Sequence, residues 1–247
     1  MRFENRLVLS AMAGINNAEF CKKQKAGLVI LGGFNADKGA MDAARKAVER
    51  GRKEFLFEEP IEGIEREIKA IKGRNFAVNV RSSTIDGYLE VANLVESYGG
   101  ILEINAHCRQ PEFVSAHCGE WLLFNLEELL KIVKAVSNVA ITATKIRGGY
   151  NLDYEAICKK IFENGCKIVH IDAMIPNATC DFELIRKLSP LGFVIGNNSF
   201  VDIATGEKMI LSGAKMASAA RAVLRDERFF EKMLRSKILS QAVELEV

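Results

Sequence analysis

Residues 140–171 read AITATKIRGGYNLDYEAICKKIFENGCKIVHI and carry an apolar run on each side of a helical pattern. The first run covers residues 140–145 and the second covers residues 168–171. Between them, Ile157 and Ile161 have the four-residue spacing that is typical of an amphipathic helix. The stretch therefore predicts a strand, a helix and a second strand, which is the repeating unit of a parallel α/β fold.

The same unit recurs along the whole chain. Eight apolar runs alternate with helical patterns, at residues 7–11, 28–31, 76–80, 101–105, 140–145, 168–171, 193–197 and 215–218. Eight strands alternating with helices over about 220 residues predict a single α/β domain, the closed (β/α)8 or TIM barrel. A doubly wound open sheet is the alternative, but no GxGxxG motif follows the first strand.

The barrel is predicted to cover residues 1–224, and residues 225–247 are predicted to form a C-terminal helical tail. Apolar residues follow a helical spacing from about Asp226 onward, at Phe229, Phe230, Met233, Leu234, Ile238 and Leu239. We expect this helix to pack on the barrel or on a partner subunit, so a homo-oligomer is one of the expected assemblies.

Composition limits the classes of protein. The 247 residues are 49% hydrophobic and 27% charged, which excludes a disordered or collagen-like chain. The 34 Lys+Arg and 32 Asp+Glu are too evenly balanced to predict nucleic-acid binding by themselves. The polar N-terminus and the short apolar run after it predict neither a signal peptide nor a membrane span, so we expect a cytoplasmic protein without a membrane partner. Six Cys without a CxxC pair predict reduced thiols.

Polar side chains gather at the carboxyl ends of the predicted strands, where TIM barrels build their active sites. They are Asn16, Asn79, Asn105, His107, Cys108, Arg109, Lys145, Arg147, His170, Asp172, Asn197 and Asn198. The set contains no cluster of carboxylates, so no metal site is expected. Amides and a lysine suit the carbonyl groups and the charge of a flavin ring, and turns after strands seven and eight of a barrel commonly hold a phosphate. These residues predict an organic, phosphate-bearing cofactor.

A structural role is the alternative for the three most informative side chains. Cys108 is either a reactive thiol or an inert buried one. Lys145 closes an apolar strand, so it either contacts a cofactor or forms an internal ion pair. His170 is either a ligand contact or a core histidine whose hydrogen bonds are satisfied.

Seven motifs follow one another in the order of a known family. They are Ala11-Met12-Ala13-Gly14-Ile15-Asn16, similar to P-M-A-G-V-T-D; Glu103-Ile104-Asn105-Ala106-His107-Cys108, similar to E-L-N-x-G-C-P and continued at Pro111, Gly119, Leu122 and Leu123; Thr142-Ala143-Thr144-Lys145-Ile146-Arg147, similar to V-T-V-K-x-R; Val169-His170, similar to V-H-x-R; Asp181-Phe182-Glu183-Leu184-Ile185, similar to D-W-x-x-I; Val194-Ile195-Gly196-Asn197, similar to V-I-G-N-G; and Gly213-Ala214 through Ala220-Arg221, similar to G-A-D-G-V-M-I-G-R-G. The chain thus resembles the tRNA-dihydrouridine synthases, FMN-dependent TIM barrels that also resemble the dihydroorotate dehydrogenases.

The resemblance implies FMN as the cofactor and NADPH or NADH as the external reductant. It implies that Cys108 is catalytic and exchanges a proton at carbon 5 of a pyrimidine ring, while hydride passes between flavin N5 and carbon 6. Cofactor contacts are implied at Ala11, Met12, Ala13, Asn79, Lys145, His170, Gly196, Asn197, Ala220 and Arg221, the last four around the phosphate. Substrate contacts are implied at Asn105, His107, Arg109 and Arg147.

Three departures from the family pattern bear on the substrate and on FMN affinity. The Gly-Cys-Pro of the pattern is His107-Cys108-Arg109, its phosphate-loop glycine is Ala220, and the arginine after the strand-six histidine is Asp172. The synthases also carry a helical tRNA-binding domain after the barrel, whereas about 23 residues follow Leu224 here. We therefore expect a small-molecule or nucleoside substrate ahead of tRNA. The alternatives are a dihydroorotate-dehydrogenase-like enzyme and a non-redox barrel that binds a phosphorylated small ligand.

Overall fold

The computed structural model describes residues 1–176 and 179–246, and it contains a closed barrel of eight parallel strands in sequence order. A two-residue strand, β1 (Arg2–Phe3), precedes the barrel. The barrel strands are β2 (Leu7–Leu9), β3 (Leu28–Asn35), β4 (Phe76–Arg81), β5 (Ile101–Ala106), β6 (Thr142–Arg147), β7 (Ile168–Asp172), β8 (Phe193–Asn197) and β9 (Met216–Ala219). Each of the eight predicted runs lies on one of them, so the prediction of a TIM barrel is confirmed.

Helices lie between the barrel strands and after the last of them. They are α1 (Ala18–Lys22), α2 (Lys38–Glu49), α3 (Pro60–Ala70), α4 (Ile85–Ser97), α5 (Pro111–Ser115), α6 (Trp121–Phe124), α7 (Leu126–Ser137), α8 (Tyr154–Glu163), α9 (Phe182–Leu188), α10 (Ile203–Leu211), α11 (Arg221–Arg225) and α12 (Phe229–Met233). Several begin where a side-chain oxygen accepts a hydrogen bond from a backbone N–H three residues later, as Asp37 does before α2 and Asp202 before α10.

The barrel interior is apolar toward one end of the barrel axis and polar toward the other. Because the side chains of a strand alternate in direction, every second residue points inward. Toward the amino ends of the strands the inward residues are apolar, among them Val8, Leu28, Ile101, Ile168, Phe193 and Met216. Toward the carboxyl ends they are buried polar residues, namely Asn79, Glu103, Asn105, Lys145, His170 and Ser218. The polar half therefore lies under the mouth at which barrel enzymes act.

The other end of the barrel is closed by the chain termini. The strand β10 (Val243–Glu244) pairs antiparallel with β1, and the buried side chains of Phe3 and Leu245 join the apolar interior cluster. The ring of Phe3 lies 6.2 Å from that of Phe193 between centroids. This two-stranded ribbon thus covers the apolar half of the interior.

The tail differs from the single helix expected from about Asp226. The helix α12 spans five residues, and the chain then turns before β10. Ser236 Oγ accepts hydrogen bonds from the backbone N–H groups of Ile238 and Leu239, each at 3.1 Å. Such a side-chain acceptor competes with helical hydrogen bonds, and this explains why the helix does not continue. The buried Phe229, Met233 and Leu239 pack into the same core as the barrel helices.

Within the two described ranges, no helix has the length and apolarity needed to cross a membrane.

Candidate active site at the mouth of the barrel

A chain of hydrogen bonds crosses the polar half of the interior. It runs from Asn197 Nδ2 to Ser218 Oγ (2.5 Å), from Ser218 Oγ to His170 Nε2 (2.7 Å), from His170 Nδ1 to Glu103 Oε2 (2.6 Å), from Asn79 Nδ2 to Glu103 Oε1 (2.7 Å) and from Asn105 Nδ2 to Asn79 Oδ1 (2.9 Å). These directions agree with a neutral His170 whose proton is on Nδ1. Burial and the neighbouring Lys145 lower the pKa of His170, which favours that neutral form.

This series of hydrogen bonds ends at the turn that follows β5. Asn105 Oδ1 accepts hydrogen bonds from the backbone N–H of His107 at 3.2 Å and of Cys108 at 2.9 Å. The interior network therefore fixes the backbone of His107 and Cys108, the two residues that the family resemblance predicts beside the substrate. The side chains of these two residues contact different partners, because His107 meets Asp172 and Cys108 meets Arg81.

Lys145 is a cation enclosed by the upper interior. Its ammonium donates a hydrogen bond to Ser10 Oγ, and the residue is 4% exposed. Burial lowers the pKa of Lys145, and the carboxylates of Glu103 and Asp172 offset this effect only in part. A charged lysine has three donor hydrogens, and Ser10 is the hydrogen-bond acceptor that the described residues give it. The ammonium therefore keeps donors for the oxygen or nitrogen atoms of a ligand.

His107, Arg147 and Asp172 form a cluster directly above Lys145. Asp172 Oδ2 lies 2.7 Å from His107 Nε2 and 3.3 Å from a nitrogen of Arg147. Asn198 Nδ2 donates to Asp172 Oδ1 at 2.8 Å. Burial by itself raises the pKa of Asp172, but the hydrogen bonds from His107 and Asn198 outweigh it and hold that pKa well below its usual range. Asp172 is thus a firmly ionised carboxylate in the mouth.

Cys108 lies at the edge of the mouth. Arg81 Nη1 donates to its Sγ at 3.8 Å, and its side chain packs beside Phe113 and Cys118. Gly119 has φ +65, and a Cβ there would lie 2.1 Å from the carbonyl oxygen of Cys108. The glycine therefore lets the following backbone N–H, that of Glu120, donate to this carbonyl at 2.9 Å. All six thiols are free, and the other five are buried while Cys108 is partly exposed.

A buried ion pair supports Cys108 from below. The guanidinium of Arg81 donates to Glu54 Oε2 at 2.6 Å and to the Gly33 carbonyl oxygen at 2.9 Å. It also lies over the ring of Phe113, 3.7 Å from the centroid. These contacts hold the guanidinium in one orientation toward the thiol.

The residues expected at a phosphate do not all face the mouth. Gly196 faces the helices, because a Cβ on it would lie 3.0 Å from Ile185 Cδ1. Asn197 points inward and donates to Ser218. Ala220 is partly exposed, and Arg221 begins α11 with its side chain exposed. The remaining expected contacts lie on loops at the mouth, where Ala11, Met12 and Ala13 are partly buried and Arg109 is exposed.

Sequence reasoning missed Glu54, Ser10 and Ser218 as members of the site. A signal existed for Ser218, which sits at an inward position of β9 two residues after the buried Met216. Glu54 lies in the loop between α2 and α3, where no periodicity marks a buried carboxylate. Its role follows only from the contact with Arg81.

No protein-family model matches the chain. A chain from Methanocaldococcus jannaschii that bears the name Uncharacterized protein MJ0144 is 31% identical over 245 residues, with 91% of each chain covered. Neither result bears on a cofactor or a substrate, so the likeness to the dihydrouridine synthases stays a prediction.

Proposed function

The chain belongs to the family of the Methanocaldococcus jannaschii protein MJ0144, and we propose that it is an FMN-dependent oxidoreductase that acts on the 5,6 bond of a pyrimidine-like ring. The observation that carries the proposal is Lys145, a buried ammonium at the mouth with a neutral hydroxyl as its hydrogen-bond acceptor. A buried cation calls for an acceptor of high electron density. The pyrimidine edge of a flavin, which gains negative charge on reduction, meets that requirement.

Among the residues expected to contact FMN, Lys145 has hydrogen-bond donors to offer the flavin ring, and the other side chains fit less well. Asn79 and His170 are 1% and 0% exposed, and the polar atoms of both side chains form hydrogen bonds within the interior network. Their part is therefore to hold the floor of the mouth. Asn197 and the exposed Arg221 are the members of the expected phosphate set that are polar and near the surface.

When bound, FMN supplies a site that gives or takes hydride. The chain's own residues supply the rest of the mechanism. Lys145 stabilises negative charge, Asn105 fixes the turn that carries His107 and Cys108, and Arg147 offers a guanidinium to a substrate carbonyl or phosphate. Cys108 is the proton donor that the family resemblance implies.

The experiment is an absorption spectrum of the purified protein with FMN after gel filtration, followed by anaerobic NADPH. We expect retained flavin bands that bleach on reduction. Replacing Lys145 by Met should weaken FMN binding about tenfold or more, since a hydrogen bond to a charged group contributes about 1.5–3 kcal/mol. Lys134→Met is the matched control, because Lys134 is exposed on α7. A colourless wild-type protein would contradict the proposal.

A non-redox barrel that binds a phosphorylated ligand is the second candidate. The saturation of Asn79 and His170 by internal hydrogen bonds favours it, since these side chains need no cofactor to be satisfied. This candidate predicts no flavin retention but a Lys145-dependent stabilisation by inorganic phosphate. For the redox enzyme, a shift of the flavin spectrum by orotate but not by uridine would favour the dihydroorotate-dehydrogenase-like form.

A further inference from the structure

Two departures from the dihydrouridine synthase pattern meet in the folded chain. His107 stands where that pattern has glycine and Asp172 where it has arginine, and the two side chains lie 2.7 Å apart from Nε2 to Oδ2. We propose that His107 is the proton-transfer residue of the mouth and that Asp172 is its positioning residue. The substrate class rests on the proposed function: a ring with an acidic C–H beside a carbonyl, as in a dihydropyrimidine.

The contact of His107 with a carboxylate favours one tautomer. A separation of 2.7 Å between Nε2 and a carboxylate oxygen requires a hydrogen between them, so Nε2 carries the proton and donates to Asp172. Arg147 lies 3.1 Å from Nε2 and 3.3 Å from Asp172 Oδ2. Since a guanidinium only donates hydrogen bonds, Arg147 also donates to the carboxylate of Asp172. The Nδ1 lone pair of His107 is then available as a base.

The surroundings keep His107 neutral and reachable. Its side chain is 24% exposed, and Nδ1 makes no hydrogen bond to any residue within 1–176 or 179–246. Burial lowers the pKa of His107 to about 4, with Asp172 opposing and the cations of Lys145 and Arg147 reinforcing the effect. At neutral pH the imidazole is therefore in its neutral form, with a lone pair on Nδ1.

The proposed step balances without a further reactant. The C–H bond beside the substrate carbonyl breaks, the proton forms an N–H bond at Nδ1, and the electron pair stays on the substrate as an enolate. Asp172 stabilises the imidazolium, in the manner of a carboxylate that orients a catalytic histidine. The Arg147 guanidinium, which lies in the same cluster as His107 and Asp172, stabilises the enolate charge.

The orientation of Cys108 separates the two candidates for proton transfer. Its thiol contacts Arg81 and packs beside Phe113, whereas His107 lies with Arg147 and Asp172 above the buried ammonium. Asn105 Oδ1 accepts a hydrogen bond from the backbone of each residue, so the two are distinguished by the contacts of their side chains. Variants at the two neighbouring positions therefore distinguish them.

The first test is ¹⁵N NMR of the imidazole groups, which is tractable because the chain has three His. We expect His107 to be neutral and protonated on Nε2 from pH 8 to about 5. Asp172→Ala should give a mixture of tautomers, and Asp172→Asn, which keeps an acceptor oxygen, should restore the Nε2–H form. An imidazolium at pH 7, or a proton on Nδ1, would overturn the proposal.

The second test measures exchange of the carbon-5 hydrogens of dihydrouridine and dihydroorotate in D₂O, with no flavin added. His107→Gln should slow the exchange by about 100-fold or more, as expected for loss of a general base. Cys108→Ser is the competing variant, because it removes the thiol that the family resemblance makes the proton donor. His117→Gln, a change at an exposed residue on the rim, is the control. Exchange lost in Cys108→Ser but kept in His107→Gln overturns the proposal, as does its absence in the wild type.

The two proposals fail in different ways. Exchange that depends on His107 in a protein that does not retain FMN supports the proton-transfer residue and contradicts the redox function. Flavin that binds and bleaches, together with an exchange rate that His107→Gln does not change, supports the redox function and contradicts the proton-transfer role of His107.

Discussion

At the scale of single residues, the mouth is organised by charges that the fold has taken out of water. Arg81 is 1% exposed and its partner Glu54 has a fully buried side chain. Two groups of this kind are tolerated because their charges are opposite and because Gly33 supplies a further acceptor, while Arg52 Nε lies 3.5 Å from the other oxygen of Glu54. Arginine suits the position, since its planar fork reaches a carboxylate, a carbonyl and a thiol at once.

Glu54→Gln tests this ion pair. The change leaves the Arg81 guanidinium buried without its counter-charge, so we expect the free energy of unfolding to fall by about 3–5 kcal/mol. Glu128→Gln removes an exposed partner of Lys131 and should cost less than about 1 kcal/mol. Urea unfolding of both variants measures the difference, and equal costs would show that the buried pair contributes no more than a surface pair.

Single residues also show how much of the candidate site can be predicted from the sequence. Lys145 and His170 are predictable because each is a polar residue at an inward position near the carboxyl end of an apolar strand. The partner of each is not predictable, since Ser10 lies 135 residues from Lys145 and Glu103 lies 67 residues from His170. The packing of Gly196 against Ile185 was not predictable for the same reason, because it depends on the helix that covers the strand.

At the scale of elements, β1 and β10 determine how the barrel is closed at the end opposite the mouth. Met1 and Leu245 exchange backbone hydrogen bonds of 2.7 and 2.8 Å, which fixes the ribbon across the barrel axis. The eight barrel strands were predictable from their alternation with helical patterns. The structure of the tail was not predictable. A two-residue strand is too short to show any period, and the turn at Ser236 depends on a side-chain contact.

Leu245→Ala tests the ribbon. Leu245 is 4% exposed within the interior cluster, so its truncation should lower the free energy of unfolding by about 2–5 kcal/mol. Leu211 is the matched control, because it is 73% exposed and its truncation should change stability by about 0.5 kcal/mol or less. If chemical denaturation shows the same small effect for both, the ribbon is not part of the cooperative core.

At the scale of the whole molecule, the folded chain encloses two histidines in neutral form. Burial is the first cause of the lowered pKa of both His107 and His170. The unfolded chain, in which histidine has its ordinary pKa of about 6.5, therefore binds more protons than the folded chain as the solution is acidified. Protons bound by the unfolded state draw the equilibrium toward it, so stability falls with falling pH.

The expected window follows from the value for His107, which titrates at about 4 in the folded chain. Between about pH 6.5 and pH 4 this residue alone contributes a loss of up to about 1.4 kcal/mol per pH unit. His107→Gln should reduce the slope of unfolding free energy against pH by that amount, and His117→Gln should not change it. Urea unfolding at pH 6.5, 5.5 and 4.5 gives the slopes. Identical slopes in wild type and His107→Gln would mean that the residue is already charged in the folded state.

The uneven burial of the thiols gives the molecule a built-in attachment point. Five of the six cysteines are enclosed in the core, whereas Cys108 is partly exposed at the edge of the mouth. A maleimide dye or spin label added to the native protein is therefore directed to one position without any engineering of the chain. The label would sit beside His107 and Arg81, so its fluorescence or mobility would follow the arrival of a ligand whose chemistry need not be known beforehand.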